Sequence, residues 1–331
     1  MLDLKRLQDK VLYTNHTNSF DLVREVYLFQ SQNNPVFQQF LKLIGKLDRK
    51  INQVEDLCFL PIDLFKSNEV KTGNWNEELI FRSSGTSDSH RSCHFIEKLG
   101  FYNEVSRLCF EFHFGSLEKY EFVALLPNYL ERQDSSLVAM VSHFVNSVNK
   151  QGKDVFFIDD FKSLELKLNA LYKLDKQVIL FGVSFALLDF ANQFNLIHPN
   201  LIVIETGGMK GRRREIAKTD LIKQLQAGFP QSKIVSEYGM TELLSQAYAL
   251  DGINYSSHPL LKFLITDPSD PFLFLPNSKR GIINVIDLAN IHSCSFIKTG
   301  DLGQLNPQGE LQVLGRFDFE EMRGCSQLYE E

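Results

Sequence analysis

Length, composition and charge limit what this chain can be. It has 331 residues, of which 44% are hydrophobic, and this allows one large domain or two modest ones with a sizeable core. The formal net charge is -6, from 41 acidic and 35 basic residues, which argues against nucleic-acid binding. The five cysteines show neither CxxC nor Cys/His zinc spacing, so neither a disulfide framework nor a structural zinc site is expected.

No apolar segment reaches the roughly 18 to 20 residues that cross a bilayer, and acidic residues interrupt the first 30 positions. We therefore expect a cytoplasmic protein without a membrane span. Residues 1–55 have helical, amphipathic spacing, with Asn18 or Ser19 as a candidate N-cap and Pro35 as the start of a further helix. This pattern predicts a helical lead-in that packs on the main domain.

A hydroxyl-rich loop follows the apolar pair Ile80-Phe81, which suits the end of a strand. The loop contains Ser83, Ser84, Gly85, Thr86 and Ser87. Glycine lets the main chain approach a ligand closely and hydroxyls donate hydrogen bonds, so the loop could hold a polyphosphate. It is not a Walker loop, because no lysine follows the glycine. Taken alone, it is most simply a polar turn. We predict a helix from near His94 through Glu111.

Short apolar runs alternate with helical patterns from residue 121 to residue 236. Predicted strands are 122–127, 155–158, 177–181, 201–205 and 233–236, and predicted helices are 135–149, 161–174, 184–194 and 215–228. This alternation implies a mostly parallel sheet covered on both faces, in which ligands bind beyond the carboxyl ends of the strands. The polar motifs 206–208 and 238–242 each follow a predicted strand directly. They should therefore face one crevice.

Helical patterns fade after about Asp251. Short strands are predicted at 263–265, 272–275, 281–287, 295–298 and 310–314, which suits a small β-rich subdomain. We therefore expect four parts. They are the helical lead-in at 1–55, an α/β core at 56–250, a β-rich subdomain at 251–317 that completes the site, and a short tail at 318–331.

Polar motifs in a fixed order resemble the signature set of the adenylate-forming superfamily, which activates a carboxylate as an acyl-AMP. They are the hydroxyl-rich loop at 82–89 and the segments 205–208, 237–242, 298–303 and 315–318. A closer resemblance is to the acyl-protein synthetases, typified by the synthetase component of the bacterial luminescence fatty-acid reductase complex. The segments 60–66, 205–211 and 323–326 carry it. The resemblance runs from about Leu60 to the end and implies an α/β fold of the large N-terminal type.

The resemblance also implies site residues, with ATP and Mg2+ as cofactors. Ser83, Ser84, Gly85, Thr86 and Ser87 would hold the β- and γ-phosphates, Gly207, Gly208 and Tyr238 the adenine, and Asp301 and Arg316 the ribose. Thr241 would hydrogen-bond the α-phosphate and Glu242 would bind magnesium, for which a carboxylate oxygen is a suitable ligand. Asp88 departs from the pattern, because it adds a negative charge beside the phosphates.

Relatives of this kind carry a mobile domain of roughly 100 residues or more after the segment 315–318, with a catalytic lysine. Here 13 residues follow Asp318, so we expect that domain to be absent. Lys210 is the first candidate replacement and Lys298 the second, although a solvated lysine is the simpler interpretation of Lys210. Cys325 is a candidate acyl acceptor. Arg323 would favour its thiolate, and the ten residues after Gly315 reach at most about 35 Å.

These features predict an acyl-protein synthetase-like enzyme that acts on a carboxylic acid, expected to be a fatty acid. The acyl group would pass to Cys325 or to the thiol of a partner, such as a reductase or an acyl-carrier protein. A first alternative sends the acyl group to coenzyme A or to a hydroxyl or amine acceptor. A second alternative is a non-catalytic nucleotide- or acyl-binding partner, which Asp88 and the expected loss of the lysine domain suggest.

Overall fold

The computed structural model describes residues 4–13, 20–84, 91–127, 134–148, 155–207 and 216–317. The helices of these residues are α1 Leu4–Tyr13, α2 Phe20–Asn33, α3 Pro35–Leu43, α4 Leu99–Phe114, α5 Ser136–Val148, α6 Phe161–Lys173, α7 Ser184–Gln193 and α8 Lys218–Gly228. The strands are β1 Leu60–Pro61, β2 Leu79–Arg82, β3 Cys93–Ile96, β4 Glu121–Leu125, β5 Phe156–Phe157, β6 Val178–Val183, β7 Leu201–Thr206, β8 Lys233–Tyr238, β9 Ala247–Ala249, β10 Ser256–Ser257, β11 Leu261–Thr266, β12 Gly281–Asp287, β13 Phe296–Leu305 and β14 Leu311–Arg316.

The main sheet has seven strands in the order β10-β9-β8-β7-β6-β4-β5. Strands β5, β4, β6, β7 and β8 are parallel, whereas β9 and β10 extend the sheet in antiparallel register. Every residue of β6 is buried, as expected for the centre of a parallel sheet covered by helices. The predicted alternation of strands and helices between residues 121 and 236 is therefore confirmed, with element ends shifted by a few residues.

Phenylalanines connect helices to the middle of this sheet. Phe110 of α4 packs on Phe122 of β4 at 5.6 Å between ring centroids, and Phe144 of α5 packs on Phe181 of β6 at 6.2 Å. All four rings are fully buried. Burial of each contributes about 1.5–3 kcal/mol to the free energy of unfolding, which holds α5 firmly on the sheet.

The second sheet contains β1, β13, β12 and β11 in that order, with β14 also paired to β13. Strand β1 runs parallel to β13 and pairs Leu60 with Ile297 and Pro61 with Lys298. A 3-10 helix, Ile62–Lys66, follows β1 directly. The segment ahead of the hydroxyl-rich loop therefore lies beside Lys298, although more than two hundred residues separate them in the chain.

The lead-in packs on this second sheet through buried polar contacts. The Gln30 side chain on α2 donates to the carbonyls of Asn290 and Ile291, each at 3.1 Å, and accepts from the Ser295 amide at 2.9 Å. As predicted, Pro35 starts a helix, whose N-cap is Asn34. The candidate caps Asn18 and Ser19 lie outside the described residues. The predicted boundaries near 55, 250 and 317 stay predictions.

The helix predicted from near His94 is wrong at its start. Residues 93–96 form β3, which pairs with β2 in an antiparallel hairpin, and α4 begins only at Leu99. His94 lies opposite Phe81, and both side chains are buried. Burial of this hairpin outweighs the local helical spacing. Residues 272–275 likewise form no strand, since Phe274 makes only one isolated bridge, with Thr266.

Two further properties of the described residues bear on function. None of their helices combines the length and apolar character that a bilayer span requires. Cys58, Cys93, Cys109 and Cys294 are free thiols.

Candidate functional site

A cavity of about 670 Å³ lies where the carboxyl ends of β7 and β8 meet the second sheet and the β2–β3 hairpin. This volume is typical of small-molecule sites. The predicted site residues that line it are Ser83, Ser84, Gly207, Thr241, Glu242, Asp301 and Arg316. As the strand spacing predicts, the two motifs after β7 and β8 face one crevice.

Several predicted site residues cannot be placed. Gly85, Thr86, Ser87, Gly208, Lys210 and Cys325 lie outside the described residues, as does Asp88. Their roles stay predictions.

The start of the hydroxyl-rich loop is held by the hairpin. The Ser83 hydroxyl accepts from the Ser92 amide at 2.9 Å, and Arg91 donates to the Ser83 carbonyl at 2.8 Å. Arg91 also forms an ion pair with Asp134 at 3.0 Å, shortly before α5 begins. The hairpin therefore fixes the point at which the loop leaves the sheet, and Ser84 is exposed there.

Tyr238 lies behind the cavity wall formed by Asp301. Its hydroxyl donates to Asp301 Oδ2 at 2.9 Å, and its ring makes edge contacts with Tyr255 and Phe263. Tyr238 is 8% exposed and is not among the described residues that line the cavity. Its contact therefore orients the Asp301 carboxylate. Stacking of Tyr238 on an adenine stays a prediction.

Asp301 presents a carboxylate that is held from two sides. Besides the contact with Tyr238, its Oδ1 pairs with Arg316 Nε at 3.1 Å across the β13–β14 ladder. Burial raises the pKa of Asp301, and the Arg316 charge and the Tyr238 hydroxyl oppose that rise. The Arg316 side chain is 79% exposed, so its charge is strongly screened by solvent. Each Asp301 oxygen still has a lone pair that could accept from a sugar hydroxyl.

The turn that carries Thr241 and Glu242 is supported from below by two buried side chains. His94 Nδ1 lies 2.7 Å from the Thr241 carbonyl, and its Nε2 lies 3.0 Å from Asn290 Oδ1. Asn290 Nδ2 donates to the Glu242 carbonyl at 2.7 Å. Burial lowers the pKa of His94 to about 4, so the ring is neutral near pH 7 and donates from one nitrogen only.

Glu242 offers a hard oxygen ligand to the cavity. Burial raises the pKa of its carboxyl, and a hydrogen bond from Ser92 opposes that rise. No group of three or more potential metal ligands occurs among the described residues. Mg2+ commonly uses one or two carboxylates together with substrate phosphates, so a single carboxylate at this place fits that ion.

Basic side chains also line the cavity. They are Lys66, Arg82, Lys298 and Arg316. Lys66 pairs with Asp63 at 2.7 Å, whereas Lys298 has no carboxylate within 4 Å among the described residues. Partial burial lowers the pKa of Lys298. An anion such as a phosphate would offset the cost of burying this ammonium group.

Thr206, Glu237 and Gln246 also line the cavity, although the sequence assigned none of them an individual role in the site. Glu237 is 7% exposed, its Oε2 accepts a hydrogen bond from the Thr206 hydroxyl, and its Oε1 has no partner among the described residues. Burial raises the pKa of Glu237 to about 7. Thr206 and Glu237 lie inside the segments 205–208 and 237–242 that carry the resemblance, whereas no sequence signal marks Gln246.

A buried network whose residues do not line the cavity supports the end of β7. Glu205 on β7 pairs with Lys218 of α8 and accepts from the Ser184 hydroxyl at 2.6 Å. Lys218 also lies 5.6 Å from the Tyr255 ring centroid. These contacts satisfy the buried Glu205 charge, so Glu205 serves the fold while Glu237 faces the cavity.

No family model and no curated protein sequence matches the chain. Solved structures do match its fold. An open 2-hydroxyisobutyryl-CoA ligase, in complex with its acyl adenylate and coenzyme A, is 12% identical with a TM-score of 0.63, covering 95% of this chain and 70% of the ligase. ATP-bound MatB from Rhodopseudomonas palustris is 17% identical with a TM-score of 0.52, covering 73% and 49%.

A long-chain fatty-acid–CoA ligase from Archaeoglobus fulgidus is 15% identical with a TM-score of 0.53, covering 76% of this chain and 53% of the ligase. The chain thus spans about half the length of several of these enzymes. Identities this low show a shared fold and leave the reaction open. The chain has the fold of the large N-terminal domain of the adenylate-forming enzymes.

Proposed function

We propose that this chain activates a carboxylic acid with ATP and passes the acyl group to a protein thiol. In the first step a carboxylate oxygen bonds to the α-phosphorus of ATP, and the bond from that phosphorus to pyrophosphate breaks. In the second step a thiolate sulfur attacks the acyl carbon, and AMP leaves. The observation that carries the proposal is the convergence of Thr241, Glu242, Asp301 and Lys298 on one cavity.

The chemistry of the first step explains why such groups must meet. Two anions react, and at 4 Å two unit charges repel by about 4 kcal/mol at an effective dielectric near 20. Catalysis therefore depends on alignment and on neutralising charge. Lys298 would face the phosphates, and the Thr241 hydroxyl would donate to the α-phosphate. Magnesium, held by Glu242, would supply further positive charge.

Nucleotide positioning would use the second sheet and the glycine turn after β7. Asp301, oriented by Tyr238 and Arg316, would accept from the ribose hydroxyls. Gly207 has a φ of 78°, a left-handed conformation that favours glycine, and would lie against the adenine. Ser83 and Ser84, at the start of the hydroxyl-rich loop, would contribute to the phosphate site. MatB is itself solved with ATP bound, which supports ATP as the nucleotide.

For the second step we propose Cys325 or a partner's thiol as acceptor, with a reductase or an acyl-carrier protein as partner. This part rests on the sequence resemblance. The 2-hydroxyisobutyryl-CoA ligase is solved with coenzyme A, which makes coenzyme A the main competing acceptor. The acid that the resemblance implies is a fatty acid.

ATP–pyrophosphate exchange tests the first step. We expect exchange that depends on a carboxylic acid and on magnesium, and that falls strongly in Glu242→Gln. Exchange at background level with acids of every chain length would instead favour a non-catalytic binding protein.

Acyl transfer is tested separately by mass spectrometry after incubation with ATP, magnesium and an activated acid. A hydroxylamine-labile acyl group is expected on Cys325 and should be lost in Cys325→Ser. Coenzyme A and an acyl-carrier protein, added in competition, identify the preferred acceptor. Transfer to coenzyme A alone would contradict the protein-thiol assignment.

A further inference from the structure

The cavity wall contains hydrogen-bond acceptors that have no partner among the described residues. Glu237 and Gln246 both line the cavity and are 7% and 4% exposed. Glu237 Oε2 accepts from Thr206, but Glu237 Oε1 has no partner among the described residues. Gln246 Nε2 donates to the Leu244 carbonyl at 2.9 Å, while Gln246 Oε1 is buried and likewise has no partner in the described part of the chain.

The two side chains lie against the same backbone position. A Cβ placed on Gly239 would lie 2.4 Å from Glu237 Oε1 and 3.5 Å from Gln246 Cγ. Both therefore pack on the α-carbon of Gly239, two residues before Thr241. Absence of a side chain at Gly239 is what allows the Glu237 carboxyl to occupy this place.

Neighbouring polar groups leave these acceptors available. Tyr102 also lines the cavity, and its hydroxyl donates to the Ser136 carbonyl at 2.9 Å. Lys218, whose charge lowers the pKa of Glu237, is paired with Glu205. A buried acceptor without a donor costs free energy, so the site is built for a ligand that brings a donor.

We propose that the acid activated here carries a primary ammonium group, which Glu237 and Gln246 receive at this part of the cavity wall. The inference rests on the proposed function and narrows its substrate class. An ammonium group has three donors and a positive charge, which match two acceptor oxygens, one of them on a carboxylate. Leu137 and Met140 of α5 also line the cavity and would contact the methylene groups of the acid.

An unsubstituted fatty acid fits these residues less well. Its alkyl chain would cover both acceptors without supplying a donor, and sites built to hydrogen-bond a substrate reject such analogues strongly. The acid's carboxylate must reach the Thr241 turn, only a few residues from Glu237.

The test is ATP–pyrophosphate exchange by the full chain with length-matched pairs of acids. The pairs are glycine and acetate, β-alanine and propanoate, 4-aminobutanoate and butanoate, and 6-aminohexanoate and hexanoate. We expect one ammonium-bearing acid to exceed its partner at least tenfold in kcat/KM. Glu237→Gln should raise the KM for that acid about 10- to 100-fold, since a charge-assisted hydrogen bond is lost.

Two further variants keep the result interpretable. Gln246→Leu should weaken the preference for the ammonium-bearing acid, whereas Glu118→Gln, at an exposed position, should leave it unchanged. Circular dichroism and thermal unfolding establish that each variant is folded.

Failure of the inference differs from failure of the proposed function. Exchange that favours the alkyl acids overturns the ammonium assignment while acyl-adenylate formation stands. If no acid supports exchange, calorimetric titration of the full chain with the same four amino acids decides the matter. Binding that Glu237→Gln abolishes would support the ammonium site without catalysis, and no binding by the unmodified chain would overturn it.

Discussion

At the scale of single residues, the carboxylates that line the cavity differ in their hydrogen-bond and ion-pair partners. Asp301 is oriented by Tyr238 and Arg316, whereas one oxygen of Glu237 has no partner in the part of the chain that the structure describes. Burial raises the pKa of Glu242, while the Ser92 side chain and the Arg316 charge lower it. The same chemical group thus stands in three different surroundings within one cavity.

Lys298→Ala tests whether this lysine neutralises charge in the first step. We expect kcat for pyrophosphate release to fall about 100-fold with a smaller change in the KM for the acid, because the cation acts on charge that develops during reaction. Lys279→Ala, at an exposed position, is the control. An unchanged kcat would remove Lys298 from the mechanism. Lys210→Ala, assayed in parallel, tests in the same way whether Lys210, the first candidate, replaces the catalytic lysine of the mobile domain.

Glu237 should make stability depend on pH. Burial, together with the Glu205 charge, raises the pKa of Glu237 from its ordinary value of 4.5 to about 7 in the folded chain, while Thr206 and Lys218 oppose the rise. The folded state therefore binds more protons, so this contribution to the free energy of unfolding is present below pH 4.5 and is lost as the pH rises through 7. Glu237→Gln cannot ionise. Relative to the unmodified chain, its stability should rise by about 1–3 kcal/mol between pH 5 and pH 8.

Urea unfolding at several pH values measures this difference. Other buried carboxyls, such as Asp287 and Glu242, are common to both chains and cancel in the comparison. A difference that stays constant with pH would mean that Glu237 is already ionised at pH 5.

At the scale of elements, the segment between β12 and β13 links the lead-in to the site. Gln30 of α2 holds the carbonyls of Asn290 and Ile291, and the Asn290 side chain holds the Glu242 carbonyl. A helix far from the cavity in sequence therefore supports the turn that carries the proposed magnesium ligand.

Gln30→Ala tests this linkage. The change leaves the Ser295 amide without its acceptor and two buried carbonyls without their donor, so we expect a loss of about 2–4 kcal/mol in the free energy of unfolding. Gln32→Ala, on the exposed face of α2, should change stability by less than about 0.5 kcal/mol. Equal effects of the two variants in urea unfolding would contradict the linkage.

At the scale of the whole molecule, the cavity draws its walls from all three sheets. Gly207 and Thr241 come from the main sheet and the turn after it, Ser83 from the hairpin, and Asp301 and Arg316 from the second sheet. A ligand that contacts all of them would add to the hydrogen bonds that already connect these parts of the fold, such as that of Tyr238 with Asp301.

ATP with magnesium should therefore stabilise the whole chain. At 100 times the Kd the expected gain is about 2.7 kcal/mol, seen as a rise in Tm by differential scanning calorimetry. Asp301→Asn should reduce that rise at equal ATP concentration, because the charged acceptor for the ribose is lost. Asp270→Asn, exposed on a turn, serves as the control. A rise of equal size in both variants would exclude Asp301 from nucleotide binding.

The sequence by itself determined the parallel sheet and the place of the two motifs after β7 and β8. Hydrophobic periodicity reports local burial, and the carboxyl ends of adjacent parallel strands must lie at one edge. Only the tertiary structure decided the pairing of β1 with β13, the contact of Tyr238 with Asp301 and the open oxygen of Glu237. These depend on partners distant in the chain, which no local pattern specifies. The strand that contains His94 was mispredicted as the start of a helix for the same reason.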